Sequence, residues 1–263
     1  MNSLFRSFRH ILLGLSLLIS SASAEDLVLS AKALAAQLSR NLQDGSSLVR
    51  LKLEVRQPSA GTKTLLQLQV KSRRSQASTE LVYQVLWPKE RKGESFVLRQ
   101  SADHPASGSV LTLPDSLVPI PRTKLKDGIF GSDLSYEDLI ENFFAWENQA
   151  IVGTETIDRI ACQILESKPG KSEHVSYLKV RSWIDLKRMV VLRVEKYSES
   201  GKLACRIDTT RVAKDDRGRV LASSFSLQRP GQDSVTEIEG SNSKHDVTFA
   251  DSDFTPEALR VLK

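Results

Sequence analysis

Residues 49–56 read VRLKLEVR, with an apolar side chain at every odd position and a charged one at every even position. Successive side chains of a β-strand point to opposite faces, so this alternation predicts a strand with one dry face and one wet face. Antiparallel sheets commonly bury one face and leave the other in water. The stretch therefore predicts a protein built around a two-faced antiparallel sheet.

The same two-residue period returns along most of the chain. Pro114, Pro119 and Pro121 interrupt it, because proline lacks the N–H that strand pairing uses. Regular strands joined by short, glycine-containing turns indicate an antiparallel meander, and about ten strands is near the size at which an open sheet must curl. The alternating positions are Leu66, Leu68 and Val70; Leu81, Tyr83, Val85 and Trp87; Phe96 and Leu98; residues 110–113; Ile160, Cys162 and Ile164; Leu178, Val180 and Ile184; Val190, Leu192 and Val194; Leu203, Cys205 and Ile207; and Leu221, Phe225 and Leu227.

Three segments have helical periodicity. Residues 30–42 carry one apolar stripe, with Ser30 placed as the N-cap. Residues 135–146 begin as a capping box in which Asp138 is the third helical residue. Pro256 stands at a first helical position near the C-terminus. We expect these helices to cover the concave side of the sheet, which would otherwise expose its apolar face.

Residues 1–24 have the features of a secretory signal peptide. A basic head is followed by ILLGLSLLI at residues 11–19 and by a small-residue cleavage site that ends at Ala24. That apolar run is shorter than the ~20 residues that cross a bilayer, so a retained anchor is the less favoured alternative. We expect cleavage after Ala24, export of the mature protein, and a single domain over residues 25–263.

The composition excludes several classes of protein. Of 263 residues, 40% are hydrophobic and 26% charged, which is too apolar for a disordered chain. The net charge of +5 is spread along the sequence, whereas nucleic-acid binding needs a concentrated basic face. Two cysteines and four separated histidines do not make a zinc module. We expect no nucleic acid, no metal and no other cofactor.

Catalytic motifs are also missing from the sequence. It has no H-E-x-x-H, G-x-S-x-G, phosphate-loop or dinucleotide fingerprint, and His104, His174 and His245 stand in polar, turn-rich surroundings. A triad assembled from distant residues stays open, since such triads form by geometry rather than by sequence order. We expect a protein that is not an enzyme, with no catalytic residue.

The acidic cluster of Asp133, Ser135, Glu137 and Asp138 allows two interpretations. Paired carboxylates can hold a metal or transfer protons. Ser135 and Asp138 also have the spacing of a helix cap, and acidic side chains are favoured near helix N-termini. We favour the structural interpretation.

Cys162 and Cys205 are the two cysteines, and export to an oxidising compartment favours a disulfide between them. In a meander they lie three strands apart, about 14 Å at ~4.8 Å per strand, whereas a bridge needs Cα atoms within roughly 7 Å. A disulfide therefore requires strong curl or another strand order. The alternative is two small buried side chains on the inner face of the sheet.

Phe143, Phe144 and Trp146 form the most aromatic stretch after the signal peptide. On a helix with 3.6 residues per turn they cannot all face one side. Either at least one of them faces a cavity mouth, a membrane or a partner, or the following loop folds back over it.

Several segments resemble those of a known family. They are WPK at residues 87–89, GSDLSYEDL at 131–139, WID at 183–185 and DFTP at 253–256. In this order, over residues 27–262, the chain resembles the outer-membrane lipoprotein-sorting-like proteins, relatives of the LolA/LolB periplasmic carriers. The segment at 131–139 is the most specific part of the resemblance.

That resemblance implies a mainly β fold with helices, a strongly curved antiparallel open half-barrel whose concave face is covered by helices. It also implies an apolar cavity for the acyl chains of lipids or lipoproteins. The implied function is a periplasmic carrier that contacts membranes transiently and receives cargo from an inner-membrane exporter. Residues 110–112 depart from the family pattern, because they lack its aromatic side chains. We expect a monomer.

The side chains expected to line this cavity lie on the alternating strands and on the first two helices. Ordinary core packing is the alternative interpretation of the strand positions. The candidates are Leu51, Leu53, Leu66, Leu68, Tyr83, Val85, Trp87, Phe96, Leu98, Leu34, Leu38, Phe143, Phe144 and Trp146.

Two other functions stay open at this point. The same fold can serve as an envelope-stress sensor or scaffold that binds a protein partner. The second alternative is a lipid-active hydrolase. The carrier is the function that the resemblance favours.

Overall fold

The computed structural model describes residues 29–261, except residues 44, 102 and 172–174. The predicted signal peptide with its cleavage site after Ala24 lies outside the described residues, as does His174. Within the described part of the chain, no helix has both the length and the apolar character needed to span a membrane.

The described residues contain thirteen strands, numbered here in chain order. They are β1 (Gly45–Gln57), β2 (Thr62–Arg74), β3 (Ser78–Trp87), β4 (Ser95–Ser101), β5 (Ser107–Thr112), β6 (Ser116–Pro119), β7 (Asn148–Ile157), β8 (Ile160–Lys168), β9 (Lys179–Asp185), β10 (Val190–Tyr197), β11 (Leu203–Lys214), β12 (Val220–Gln228) and β13 (Val235–His245).

All of these strands form one antiparallel sheet, in the order β6-β5-β4-β3-β2-β1-β13-β12-β11-β10-β9-β8-β7. Strands β1 to β6 make one meander and β7 to β13 make another, and the pairing of β1 with β13 joins the two. The strands β6 and β7 are the two edges, so the sheet is open. The predicted open antiparallel meander is confirmed.

The sheet is larger than the ten or so strands that alternation predicts. The strands that the pattern missed are β6, β7 and β13. β6 is short and ends in proline, while β7 and β13 are rich in polar residues and contain one glycine each. Their backbones pair with neighbouring strands although their side chains carry little of the apolar period.

Cross-strand pairing places most of the predicted apolar positions of β1 to β4 on one face of the sheet. Leu53 lies opposite Leu66, and Tyr83 lies opposite Phe96. All four side chains are buried in one cluster. We call this side of the sheet the inner face and the other side the outer face.

Two apolar clusters fill the inner face. The first lies mainly on β1 to β4 and is covered by residues 120–140. The second lies on β8 to β10, beneath an N-terminal helix, α1 (Ala31–Leu42), and residues 143–146. We call residues 120–146 the covering segment, because it passes over both clusters.

The first predicted helix is confirmed, and its N-cap is the predicted one. The Ser30 hydroxyl accepts a hydrogen bond from the Ala33 N–H at 3.2 Å, which satisfies a free donor of the first turn. Leu34 and Leu38 on one side of the helix are buried in the second cluster.

The second predicted helix is much shorter than residues 135–146. It begins at the predicted capping box, but α2 spans Tyr136–Ile140 only. The backbone is extended at Glu141, and Phe143–Ala145 forms a single 3-10 turn. In place of long covering helices, the covering segment consists mostly of turns and 3-10 helix.

Burial of three aromatic side chains accounts for this interruption. Phe143, Phe144 and Trp146 are all buried against α1 and the sheet. A continuous helix could not turn three residues at this spacing to one side, so the chain leaves the helix before them.

The C-terminal segment lies on the outer face, not with the other helices. Asp251–Phe254 and Glu257–Arg260 are 3-10 helices, in place of the predicted α-helix. Phe254 and Leu259 are buried against outer-face residues of β3, β4 and β5. The prediction of a C-terminal helix over the concave side is therefore wrong, because these strands are apolar on both faces.

Cys162 on β8 and Cys205 on β11 are buried free thiols. They lie three strands apart, as a meander predicts. Cys205 packs in the first inner cluster, whereas Cys162 packs on the outer face with Trp183 and Leu192. The interpretation of both as inner-face residues is wrong for Cys162, and the sheet itself separates the two sulfur atoms.

We expect both thiols to react with a disulfide-exchange reagent in urea without reductant, and to be slow to react in the native protein. Burial raises the pKa of Cys205 to about 12, and the thiolate is the reactive form. Native labelling of Cys205 at pH 8 should therefore be slower by about a hundredfold or more. Thiol counting by absorbance checks this, and a protein that has no reactive thiol in urea would instead contain the disulfide.

Candidate functional site

A buried charge network joins the covering segment to the sheet. Only 2% of the Lys196 side chain on β10 is exposed, and its Nζ donates to Asp138 Oδ1 and Glu141 Oε2, both at 2.8 Å. Arg229, which follows β12, donates from Nη2 to Asp138 Oδ2 at 2.6 Å. Two cations from the sheet thus meet two carboxylates of the covering segment.

Asp138 is the centre of this network. Its carboxylate also accepts hydrogen bonds from the Ser135 N–H and hydroxyl and from the Tyr177 hydroxyl. Burial acts to raise the pKa of Asp138, but Lys196 and Arg229 outweigh it and hold the pKa well below its ordinary value. Asp138 is therefore a carboxylate at neutral pH, although it is buried.

Burial shifts the pKa values of Glu141 and Lys196 in opposite directions. Burial raises the pKa of Glu141, and the nearby Lys196 opposes this only in part. Burial acts to lower the pKa of Lys196, but Asp138 and Glu141 raise it well above its ordinary value. The Lys196 ammonium group is therefore charged at neutral pH.

A second anchor holds the start of the motif at residues 131–139. The hydroxyls of Ser234 and Thr236 donate to the buried carboxylate of Asp133. The Asp133 N–H donates to Thr236 Oγ1 at 2.8 Å, and Arg229 Nε donates to the Asp133 carbonyl at 2.7 Å. This motif therefore attaches the covering segment to β13 and to the chain after β12.

The structural interpretation of the acidic cluster is confirmed, because Ser135 and Asp138 form a reciprocal capping box. The sequence did not reveal the partners of Asp138, since Lys196 and Arg229 stand 58 and 91 residues away from it. One signal was present: Lys196 continues the apolar alternation of Val190, Leu192 and Val194. A charge at an apolar position of a strand indicates a buried partner.

A cavity of about 690 Å³ lies beside the covering segment. The start of β3, the end of β4 and the loop after β4 form one wall, and residues 137–146 form another. Leu125, Ile140 and Trp146 contribute apolar surface. Three alanines, a proline and Val175 add to this surface, and the other lining side chains are polar or charged, so the lining is mixed rather than apolar.

The predicted cavity residues occupy three environments. Trp87, at the end of β3, is 47% exposed. Of the fourteen candidates, Trp146 lines the cavity. The first inner cluster contains Leu51, Leu53, Leu66, Leu68, Tyr83, Val85, Phe96 and Leu98, and the second contains Leu34, Leu38, Phe143, Phe144 and Trp146.

One group among the described residues has its ligand atoms close enough together for a metal: Asp215, Asp216 and His245. Asp215, in the turn between β11 and β12, already accepts from the backbone N–H groups of Arg217 and Arg219 and from the Arg219 side chain. Asp216 is paired with His245. These bonds tie the hairpin turn to the end of β13 and occupy the oxygens that a metal would need.

Comparison with known proteins identifies the family and the fold. A protein-family model described as "-like: Uncharacterized protein" matches residues 77–261. No curated protein matches the chain at a significant level.

Three solved structures are similar over nearly their whole length. A DUF1329 family protein from Desulfovibrio piger has a TM-score of 0.79 at 20% identity, over 87% of this chain and 97% of that one. A putative outer membrane lipoprotein-sorting protein domain from Vibrio parahaemolyticus has a TM-score of 0.75 at 17% identity, over 86% and 97%. A LolA superfamily protein from Nitrosomonas europaea has a TM-score of 0.70 at 17% identity, over 88% and 99%.

The family model covers most of the chain, and the matched structures share its open antiparallel sheet. The sequence resemblance and the fold agree. The chain belongs to the family of this model, and its fold is that of the lipoprotein-sorting and LolA superfamily structures that it matches.

Proposed function

We propose that this protein is a periplasmic carrier that binds the acyl chains of lipids or lipoproteins between its sheet and its covering segment. The observation that carries the proposal is the cavity of about 690 Å³ beside that segment. Its volume falls within the roughly 300–1,000 Å³ that small-molecule sites occupy. Ile140 and Trp146 in its wall connect it to the two apolar clusters of the inner face.

The two ends of the covering segment are held in different ways. Its later part is anchored by the buried charges of Asp133, Asp138 and Glu141. Its earlier part, with Ile129 and Phe130, packs on the inner face mainly through apolar contacts. An acyl chain can replace apolar contacts with similar ones, whereas it cannot replace an ion pair. We expect chains to enter beneath the earlier part while the later part stays attached.

Affinity in such a site comes from apolar burial. Each methylene removed from water contributes ~0.8 kcal/mol, so one long chain supplies several kcal/mol without any specific polar contact. Binding of this kind suits a carrier that releases its cargo to an acceptor. The partners that we propose are an inner-membrane exporter as donor and a membrane that the monomer contacts transiently.

Two further observations support the proposed location and the proposed class of cargo. The signal-peptide features of residues 1–24 support export to the periplasm. The similar structure from Vibrio parahaemolyticus is described as a putative lipoprotein-sorting protein domain, which supports acylated cargo for the shared fold. The described residues show no motif that would favour the alternative functions of hydrolase or protein scaffold.

Filling the cavity tests the proposal. Ala106 lines the cavity and touches the first inner cluster, so Ala106→Trp should weaken binding of a fluorescent fatty acid by tenfold or more, which is about 1.4 kcal/mol. Titration of the probe by fluorescence measures the change. Ala161→Trp, at an exposed position on β8, is the matched control and should leave binding within twofold. Equal binding by both variants, or no probe binding by the wild type, would contradict the carrier.

A further inference from the structure

Three exposed apolar side chains lie together at one end of the sheet. Trp87, the last residue of β3, is 47% exposed, and Leu113, which follows β5, is 42% exposed. Val261, near the C-terminus, is 81% exposed. Single exposed apolar side chains are ordinary on a protein surface, whereas neighbouring ones indicate an interaction site. We call these three side chains the apolar rim.

Contacts between their segments bring the members of the apolar rim together. A Cβ built on Gly93, in the turn between β3 and β4, lies 3.8 Å from Cδ2 of Leu113, so this turn touches the turn after β5. Arg260 Nε donates to Asp115 Oδ1 at 3.2 Å, which holds the residue before Val261 at the same turn. The rim is therefore built from two neighbouring hairpins and the C-terminal segment.

The backbone of the turn between β3 and β4 is already hydrogen-bonded. The N–H groups of residues 91–94 all donate to carbonyls of residues 85–91, and Pro88 has no N–H. Lipid offers no hydrogen bonds to a backbone, so a segment that enters it has to satisfy its own polar groups. This turn meets that condition better than an irregular loop would.

The charged side chains of this turn lie beside the apolar ones. Lys89 and Lys92 are exposed, while Arg91 pairs with Glu94 at 2.6 Å. Tryptophan is enriched where membranes meet water, and lysine can extend its charge from an apolar surface to the head groups. Glu90 is also exposed here, so attraction to anionic lipid is weak and apolar insertion has to supply most of the affinity.

We propose that the apolar rim inserts into the surface of a lipid bilayer and docks the protein there. A standard protein–protein interface uses about 20–30 residues on each side, far more than the rim offers, whereas a bilayer accepts a few inserted side chains. Arg91 Nη1 donates to the Phe130 carbonyl at 3.4 Å, so the docking turn touches the earlier part of the covering segment. The use of this contact to transfer acyl chains rests on the proposed carrier function, but the docking itself does not.

Tryptophan fluorescence reports on the insertion directly. The chain has three tryptophans, and Trp146 and Trp183 are buried. Vesicles made of equal parts of phosphatidylethanolamine and phosphatidylglycerol should bind the wild type and move its emission to shorter wavelengths, because Trp87 leaves water. Trp87→Phe should still sediment with the vesicles, since phenylalanine also inserts, but should lose most of the wavelength shift.

Two polar substitutions measure the contribution of the rim. Trp87→Ser and Leu113→Ser should each weaken vesicle binding at least about fivefold, because each removes apolar surface that leaves water on insertion. Leu186→Ser is the matched control, since Leu186 is also 42% exposed and the strand order places its turn, between β9 and β10, at the opposite end of the sheet. The control should bind vesicles as the wild type does. Thermal unfolding confirms that each variant is folded.

Three results would overturn the docking surface. They are no vesicle binding by the wild type, unchanged binding by both Trp87→Ser and Leu113→Ser, and self-association of the wild type without vesicles that both substitutions abolish. The last result would make the rim a contact between copies of the chain. Vesicle binding without fatty-acid binding would keep the docking surface and overturn the carrier, and fatty-acid binding without vesicle binding would do the reverse.

Discussion

Replacing Lys196 with Met is expected to lower the free energy of unfolding by about 3–5 kcal/mol, the usual cost of removing one partner from a buried ion pair. Lys196 is the cation that both Asp138 and Glu141 contact, and neither carboxylate can reach water. Arg229 contacts Asp138 but not Glu141. The replacement therefore leaves Glu141 without a cationic partner among the described residues. Urea unfolding followed by circular dichroism measures the loss.

Lys187→Met is the matched control, since Lys187 is exposed in the turn before β10 and its replacement should change stability by less than about 0.5 kcal/mol. Adding Glu141→Gln to Lys196→Met should recover part of the loss, because it removes the carboxylate left unpaired. A loss below about 1 kcal/mol for Lys196→Met would show that the network does not hold the covering segment.

Acid should diminish the difference in the free energy of unfolding between the wild type and Lys196→Met. The pKa of Asp138 is lowered in the folded protein, so the stability that it contributes is present above its unfolded value near 3.8 and is lost as the pH falls through the folded pKa. Removing Lys196 raises the folded pKa of Asp138 toward its ordinary value. Unfolding free energies of the two proteins should therefore converge below pH ~4.

Replacing Phe96 with Ala is expected to lower the free energy of unfolding by about 3–5 kcal/mol, as for other large aromatic truncations in cores. Phe96 on β4 is fully buried and stacks on Tyr83 with ring centroids 4.9 Å apart. It also contacts Tyr136 at 4.9 Å and Phe130 at 5.3 Å, and both of these belong to the covering segment. The Phe96 side chain therefore joins the sheet to the covering segment.

Hydrogen exchange separates a local effect from general destabilisation. In Phe96→Ala, amides around Phe130 and Tyr136 should lose more protection than those of α1, whose contacts lie in the second cluster. Leu178→Ala, at a position on the surface that is 46% exposed, is the control and should cost much less than Phe96→Ala. Uniform loss of protection across the chain would contradict a separate role for the covering segment.

The sheet could be predicted because strands such as β1 are wet on one face and dry on the other. Leu51 and Leu53 alternate with charged residues, so periodicity alone identified their face. β13 could not be found in this way, since its residues are mostly polar and its place beside β1 depends on pairing across nearly the whole chain. Local patterns contain little information about such distant backbone partners.

The cover of the sheet was harder to predict than the sheet. Helical periodicity continued through Phe143 to Trp146, but packing of all three aromatics against α1 ended the helix at Ile140. The capping role of Asp138 was predictable from a spacing of three residues. Its ion pairs with Lys196 and Arg229 were not, because they join residues that only the fold brings together.

Native mass spectrometry of the protein purified from the cell envelope tests the carrier most directly. We expect a population heavier than the polypeptide by the mass of a lipid or an acylated peptide, reduced in Ala106→Trp and retained in Ala161→Trp. A protein that carries only the mass of its polypeptide, and whose wild-type form also fails to bind a fluorescent fatty acid, would contradict it.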